Sequence, residues 1–309
     1  MCGIAGIIYR NGPHPIGQDM TRMLQSMKHR GPDSSGFALY GEPQEAFTMR
    51  VKLADANALR DFDFAQRLLR RRGEVETRMR AVGARVSEID ETTAYTATIT
   101  FDYDGDLKLL TDHVEAIRET EVLSLGHSLE IIKDLGDAEA VAGKYKLDKM
   151  MGSHAIGHVR MATESDVDIA GAHPYWAYPF SDVAVVHNGQ LTNYFEWRRR
   201  LERSGHRFQS ECDSEIIAVY LAEKMAEGKS LEDAMQGSLD DLDGVFTYIC
   251  VTEDALGMAK DELAAKPLVL YESDDIIALA SEEIAIRAVI DGELDTYDPF
   301  EGEVMVWKR

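Results

Sequence analysis

The sequence has little cysteine, little positive charge and no long apolar run, and each shortage excludes a class of protein. Its three cysteines, Cys2, Cys212 and Cys250, are too few and too widely spaced for a disulfide framework or a zinc site. Lys and Arg number 33 against 55 Asp and Glu, and the formal net charge of -22 repels nucleic acid and anionic lipid. No apolar run approaches the roughly 18–20 residues of a membrane span, and no basic leader precedes the first apolar residues. We therefore expect a cytoplasmic protein with no nucleic-acid and no membrane partner.

The apolar pattern that is present predicts an α+β protein. Residues 2–9 are apolar without helical spacing, which predicts a buried strand at the start of the chain. Further strands are expected at 37–40, 154–162, 182–187, 245–251, 256–260, 267–271, 276–281 and 303–307. Helices are expected at 18–28, 193–204, 213–227, 230–241 and 283–290. Consecutive strands with separate helix pairs favour two antiparallel sheets with helices outside them over a regular βαβ alternation.

The pattern changes between residue 42 and about residue 152. A helix is expected around four clustered arginines, Arg67, Arg70, Arg71 and Arg72. It is followed by a strand at 93–101 and by helices around 111–119 and 137–150. We interpret 42–152 as a small α+β module inserted into one domain that spans 1–309. Its arginine-rich helix is either a docking surface for a partner or a solvated helix face.

Cys2 is the residue best suited to covalent chemistry. Removal of Met1 gives it a free α-amine with a pKa of about 7.7–8, which accepts the thiol proton near neutral pH. One residue then supplies both the nucleophile and the base. The alternative is that Cys2 is a small apolar residue in an edge strand, because free cysteines are often buried and inert.

Five motifs follow one another along the chain. They are MCGIAGI at 1–7, HRGPDSSG at 29–36, GHVRMAT at 157–163, HNG at 187–189 and CDSE at 212–215. In this order they resemble the glutamine-hydrolysing domain of the class II glutamine amidotransferases, which are N-terminal-nucleophile (Ntn) hydrolases. Segments 260–268 and 280–282 look like the closing strands of that family. The resemblance covers about 1–41 and 153–309, and it implies a four-layer α/β/β/α sandwich of two antiparallel sheets.

The resemblance also implies roles for six residues. Cys2 attacks the glutamine carboxamide, and the side-chain amide of Asn188 and the backbone N–H of Gly189 form the oxyanion hole. The other three bind the substrate's charged groups: Arg160 and Thr163 the α-carboxylate, and Asp213 the α-ammonium. A guanidinium fork and a carboxylate are the side chains that suit these two charges.

Each role has a structural alternative. Asn188-Gly189 favours a type I′ hairpin turn, which on its own would still hold both donors rigidly. For Arg160 the alternative is a surface ion pair, and for Asp213 it is the N-cap of the following helix. Arg30 and His173 lie in motifs near the expected pocket. Arg30 is either a structural residue or a substrate contact, and we interpret His173 as a structural histidine.

The chain has the insertion but no synthase sequence of its own. In both respects it resembles the amidotransferase subunit of glutamate-synthase-type complexes, such as N-methylglutamate synthase. We expect the chain to hydrolyse glutamine to glutamate and ammonia, and to need partner synthase subunits in a hetero-oligomer to use the ammonia. By resemblance, those subunits carry FMN and iron–sulfur chemistry. This chain is expected to hold no cofactor and no metal, since it has neither a cysteine cluster nor a dinucleotide fingerprint. The alternatives are a non-catalytic scaffold subunit and a stand-alone glutaminase.

Overall fold

Two antiparallel sheets form the centre of the computed structural model, which describes residues 2–54, 61–93, 95–161, 169 and 171–309. Among these residues the larger sheet has the strand order β15 (Thr296–Tyr297), β13 (Val269–Glu272), β14 (Ile276–Ala280), β1 (Gly3–Tyr9), β8 (His154–Arg160), β2 (Ser34–Tyr40) and β7 (Leu129–Leu135). The second sheet has the order β16 (Val304–Lys308), β12 (Ala255–Lys260), β11 (Gly244–Val251), β10 (Ala184–Leu191) and β9 (Tyr175–Trp176). The strand that begins the chain therefore lies inside a sheet, with a neighbour on each side.

Helices cover the outer face of each sheet. Those on the larger sheet are α1 (Ile16–Ser26), α4 (Ala138–Tyr145) and α8 (Glu283–Arg287). Those on the second sheet are α5 (Tyr194–Arg203), α6 (Asp213–Ala226) and α7 (Leu231–Asp241). The predicted four-layer α/β/β/α sandwich is confirmed, and its layers follow from the period-2 alternation of the strands.

The alternation is clearest in β1, where every residue is buried. Ile4 and Ile8 pack in the core between the two sheets, while Ala5 and Ile7 pack in the core beneath α1. The apolar stripe of α1 meets that second face through Met20, Met23, Leu24 and Met27, which are fully buried. A strand buried on both faces reads as a continuous apolar run, which is the pattern seen at the start of the sequence.

A third, four-stranded antiparallel sheet lies between residues 47 and 126. Its order is β4 (Arg85–Thr93), β5 (Thr96–Asp102), β3 (Phe47–Lys52) and β6 (Glu121–Gly126), and α2 (Phe64–Ala81) and α3 (Leu107–Glu115) pack on it. Its apolar residues belong to the same buried cluster as those between the two large sheets. The segment 129–135 pairs instead with β2, so part of the stretch predicted as the module lies in the larger sheet.

Several predicted elements have other bounds in the structure; the helix expected around 111–119, for example, is Leu107–Glu115. The helix expected at 137–150 ends at Tyr145, because Lys146 adopts a left-handed backbone with φ of 57°, and a short 3-10 turn at 147–149 follows. The strand expected at 182–187 continues to Leu191. The pattern also gave no indication of β3, β4, β6 and β7.

The arginines of α2 are largely engaged within the chain. Arg67 pairs with Asp61 at 2.5 Å, and Arg71 pairs with Glu119 at 2.6 Å. Two of the four clustered arginines thus have acidic partners within the chain, and both the docking surface and the solvated helix face stay predictions. Within the described part of the chain, every helix is too short or too polar to cross a lipid bilayer.

Asp182 joins the end of the four-stranded sheet to the second large sheet. Its buried carboxylate accepts the backbone N–H groups of His127, Ser128 and Leu129 at 2.8, 2.9 and 2.9 Å. Asp182 itself has a left-handed backbone with φ of 56°, a conformation that Asp and Asn tolerate better than most residues. This one side chain therefore fixes the β6–β7 turn beside the start of β10.

We expect Asp182→Ala to lower the free energy of unfolding by about 2–4 kcal/mol, because three backbone donors lose their acceptor. Asp182→Asn keeps one acceptor oxygen and the left-handed backbone, so it should lose less than Asp182→Ala. Urea denaturation measures both, with the exposed Asp104→Ala as the control. Equal stability of the Asp182→Ala and Asp104→Ala proteins would show that the Asp182 contacts contribute nothing.

Candidate active site

Cys2 lies immediately before β1, at a point where the following residues are hydrogen-bonded to a neighbouring segment on each side. Gly3 pairs with Val159 of β8, and Ile4 exchanges backbone and side-chain hydrogen bonds with Ser281, directly after β14. The edge-strand alternative for Cys2 is therefore wrong. The thiol is at the end of a central strand, where the fold restricts its position.

The three cysteines differ in their surroundings. Cys2 is partly exposed, and its Sγ lies 3.9 Å from the carbonyl oxygen of Met161. Cys250 is fully buried, and burial raises the pKa of its thiol far above the ordinary range. Cys212 is partly exposed like Cys2, but desolvation raises the pKa of its thiol. A thiol with a raised pKa is a poor nucleophile, so Cys2 is the better candidate of the three.

Two side chains donate hydrogen bonds to the carbonyl oxygen of Cys2. The Nδ2 of Asn188 lies 3.2 Å from it, and the Nε of Arg30 lies 3.0 Å from it. Arg30 is held in turn by Glu282, at 2.6 Å from its Nη1. Arg30 thus fixes the main chain of Cys2. A side-chain amide carries two N–H donors, so Asn188 retains one for a further acceptor.

Asn188 and Gly189 lie within β10 and not in a turn. Gly189 is opposite Phe246 of β11, and the pairing continues to Leu191, so the hairpin-turn alternative is wrong. The backbone of Gly189 has φ of 147°, and a Cβ at this position would overlap the carbonyl oxygen of Val245. Only glycine fits here, for reasons of both backbone conformation and space.

Arg160 is the last residue of β8 and is partly buried. Because Gly3 is opposite Val159, Arg160 lies next to Cys2 at the same end of the strand pair. The loop before β2 packs closely against it, since a Cβ at Gly31 would lie 2.6 Å from the backbone nitrogen of Arg160. Gly31, the first glycine of the HRGPDSSG motif, is therefore required by this close approach.

Asp213 is the first residue of α6. Cys212 occupies the N-cap position, so the interpretation of Asp213 as the N-cap is wrong. The Oδ2 of Asp213 accepts the N–H of Leu191 at 2.8 Å, and its Oδ1 lies 3.7 Å from the Nδ1 of His187. These contacts attach the carboxylate to β10 on either side of Asn188-Gly189, and 20% of the side chain stays exposed.

The structure therefore brings five of the six predicted site residues to two adjoining places. Cys2 and Asn188 are in direct contact, and Arg160 lies beside Cys2. Asp213 is attached to the strand that carries Asn188 and Gly189. The sixth residue, Thr163, lies outside the described residues. The charges and donors that an amino-acid amide requires thus come from one strand of each large sheet and from the start of α6.

Three buried histidines adjoin these residues. His158 of β8 stacks on His173, with ring centroids 4.0 Å apart. The Nε2 of His173 and the Nδ1 of His187 lie 2.6 and 2.7 Å from the Oγ of Ser214. Burial lowers the pKa of all three imidazoles, that of His158 to about 3, so they are neutral at pH 7.

Sequence reasoning missed two residues of this region, Ser214 and Glu282. Both lie in segments singled out above, CDSE and Ala280-Ser281-Glu282, so their motifs were available as signals. The contacts of Glu282 with Arg30 and of Ser214 with His173 join residues far apart in the chain, which no local pattern shows.

Comparisons with known proteins agree on one family. Residues 158–288 match the family model of a glutamine amidotransferase domain. The chain is 40% identical over 314 residues to the "Putative glutamine amidotransferase" of Methanothermobacter thermautotrophicus, with 100% of both chains covered. It is 36% identical over 275 residues to the "Glutamine amidotransferase-like protein GlxB" of Rhizobium meliloti. That alignment covers 88% of this chain and 86% of the relative.

Two solved structures share the fold. The allosteric regulatory enzyme of purine biosynthesis superposes with a TM-score of 0.63 at 21% identity, covering 99% of this chain and 46% of that one. The glutamine phosphoribosylpyrophosphate amidotransferase of B. subtilis gives a TM-score of 0.61 at 20% identity, covering 99% of this chain and 47% of that one. At these identities the likeness shows the fold alone.

The requirement for glycine at position 189 can be tested by comparison with a second glycine of positive φ. We expect Gly189→Ala to lower the free energy of unfolding by about 3 kcal/mol or more, because both the backbone conformation and the space exclude a Cβ. Gly205 also has a positive φ, of 94°, but has no atom near its Cβ position, so Gly205→Ala should cost only about 1 kcal/mol. Urea denaturation of the two variants compares them, and equal losses would show that the contact with Val245 does not matter.

Proposed function

Because the chain belongs to the class II glutamine amidotransferase family, we propose that it hydrolyses glutamine to glutamate and ammonia with Cys2 as the nucleophile. One observation carries this proposal. The partly exposed thiol of Cys2 lies at the end of a central strand, and the side-chain amide of Asn188 is hydrogen-bonded to the same residue. A nucleophile and a candidate oxyanion donor thus meet where the fold holds both.

The proposed reaction begins once Met1 has been removed. The α-amine of Cys2 takes the thiol proton, and the thiolate attacks the carboxamide carbon of glutamine. The tetrahedral intermediate collapses to a thioester, while the leaving nitrogen takes a proton from the α-ammonium and departs as ammonia. Water, deprotonated by the same amine, then attacks the thioester, which releases glutamate and restores the thiol.

Negative charge on the former carbonyl oxygen needs donors that are already in place. We assign them as the second N–H of the Asn188 amide and the backbone N–H of Gly189. Support comes from β10, since pairing with β11 holds both residues rigidly beside Cys2. Loss of one such donor typically lowers kcat by about 10²–10³.

Glutamine also carries an α-carboxylate and an α-ammonium. We assign Arg160, with the hydroxyl of Thr163, to the carboxylate, and Asp213 to the ammonium. The position of Arg160 beside Cys2 and the attachment of Asp213 to β10 support this assignment. Opposite charges held at the end of β8 and at the start of α6 would orient the side-chain amide of glutamine toward the thiol.

We further propose that the ammonia is used by partner subunits of a glutamate-synthase-type complex, of which N-methylglutamate synthase is one example. The support is the motif resemblance together with the inserted segment. FMN and iron–sulfur chemistry would then be on those partners, and glutamine hydrolysis on this chain. A non-catalytic scaffold and a stand-alone glutaminase are the outcomes that the following two experiments separate from this proposal.

Intact-mass spectrometry tests the nucleophile. We expect the purified protein to lack Met1 and to gain one equivalent of a diazoketone analogue of glutamine, because such an electrophile alkylates the reactive thiol. Cys212→Ala should react like the parent protein, since the raised pKa of the Cys212 thiol makes it a poor nucleophile. Cys2→Ala should neither react nor hydrolyse glutamine while staying folded. Retention of Met1 would favour the scaffold, and labelling that survives in Cys2→Ala would contradict Cys2 as the nucleophile.

Purification of the tagged chain from its native host tests the partner. We expect it to retain a larger subunit that releases flavin on denaturation, and glutamine consumption by this complex to depend on the acceptor of the synthase. Cys2→Ala should assemble equally well, because the thiol is proposed to act in hydrolysis only. A chain that hydrolyses glutamine at full rate and purifies alone would indicate a stand-alone glutaminase.

A further inference from the structure

Ser214, the second residue of α6, has a buried hydroxyl that the reaction above does not use. Its Oγ lies 2.6 Å from the Nε2 of His173 and 2.7 Å from the Nδ1 of His187. It also lies 3.4 Å from the Oδ1 of Asp213 and 3.4 Å from the Sγ of Cys212. The side chain is 1% exposed, so these groups, and not bulk water, satisfy it.

We propose that Ser214 is a positioning residue for glutamine binding: it accepts one hydrogen bond from each of the two imidazoles and donates its own proton to the carboxylate of Asp213. This inference rests on the proposed function, in which Asp213 binds the α-ammonium of glutamine. Ser214 does not touch the substrate in this scheme and acts through Asp213.

The direction of the hydrogen bonds follows from counting donors. A serine hydroxyl has one proton and two lone pairs, and a neutral imidazole has one N–H and one bare nitrogen. If Ser214 donated to the Nε2 of His173, the proton of that ring would be on Nδ1. If it donated to the Nδ1 of His187, the proton would be on Nε2. Both of these far nitrogens are buried and have no hydrogen-bond partner among the described residues.

Buried N–H groups without an acceptor are rarer in proteins than acceptors without a donor. The favoured arrangement therefore has both imidazoles donating to Ser214, which leaves only lone pairs at the far nitrogens. The two lone pairs of Oγ are then filled, and its proton is free for Asp213. The thiol of Cys212 has the Oδ1 of Asp213 as its acceptor instead, at 3.7 Å. Burial supports this count, because it lowers the pKa of His173 and His187 and so keeps a single N–H on each ring.

The consequence is a carboxylate held at both oxygens. Oδ2 of Asp213 accepts the N–H of Leu191 at 2.8 Å, and Oδ1 accepts the hydroxyl of Ser214 at 3.4 Å. A carboxylate that is oriented before binding loses little side-chain freedom when it pairs with the ammonium of glutamine. Loss of the Ser214 hydroxyl should therefore weaken glutamine binding more than it slows the chemical step.

Kinetics of glutamine hydrolysis test the proposal with Ser214→Ala and the hydroxyl-retaining Ser214→Thr. We expect Ser214→Ala to raise KM roughly tenfold or more, as for loss of a hydrogen bond to a charged group, with kcat within about threefold. Ser214→Thr should restore KM to within about threefold of the parent. In an Asp213→Asn background Ser214→Ala should add little, because its effect passes through the carboxylate. A loss confined to kcat, or full additivity with Asp213→Asn, would overturn the proposal.

A second measurement needs no variant and no activity. In ¹⁵N-histidine-labelled parent protein, nuclear magnetic resonance should show the Nε2–H tautomer of His173 and the Nδ1–H tautomer of His187. Either opposite tautomer would overturn the hydrogen-bond arrangement, even if Ser214→Ala failed to fold. Absence of glutamine hydrolysis by the complex purified with the parent protein, alongside the expected tautomers, would instead contradict the proposed function and leave the arrangement intact.

Discussion

Hydrogen bonding along both edges of β1 is the constraint on which the rest of the candidate site depends. A residue at the second position of a chain is ordinarily among the most mobile. Here Gly3–Tyr9 is buried throughout and paired with β8 and β14, so fixed backbone begins at the residue after Cys2. The thiol consequently has a defined position, although it belongs to the second residue of the sequence.

The second sheet carries the candidate oxyanion donors for the thiol that the larger sheet positions. β10 carries Asn188 and Gly189, and the carboxylate of Asp213 is attached to the same strand through Leu191. The hydrogen bond from Asn188 to the carbonyl oxygen of Cys2 connects the two sheets at the proposed reacting residue. Packing between the sheets, which buries Ile4 and Ile8, therefore also sets the distance between the nucleophile and its donors. Stability and site geometry depend on the same core.

Periodicity and motif order were sufficient for the sandwich and the family, because buried strands and ordered motifs leave strong signals in the sequence. Local preference failed where tertiary pairing overrides it. Asn188-Gly189 favours a hairpin turn, yet β11 extends the strand through Leu191. Nothing in its neighbourhood indicates that Lys146 adopts the left-handed backbone that ends α4. The position of Ser214 between two imidazoles was beyond prediction, since it depends on three segments that only the fold brings together.

The anchors described for Cys2 all lie on the carbonyl side of the residue, where Asn188 and Arg30 donate to its oxygen and Gly3 enters the sheet. An aminopeptidase that cleaved the bond on the other side would remove none of them. Under the proposed mechanism, the precursor would already hold these anchors and would lack only the free α-amine. Onset of activity would then be timed by that single proteolytic cut and would require no refolding.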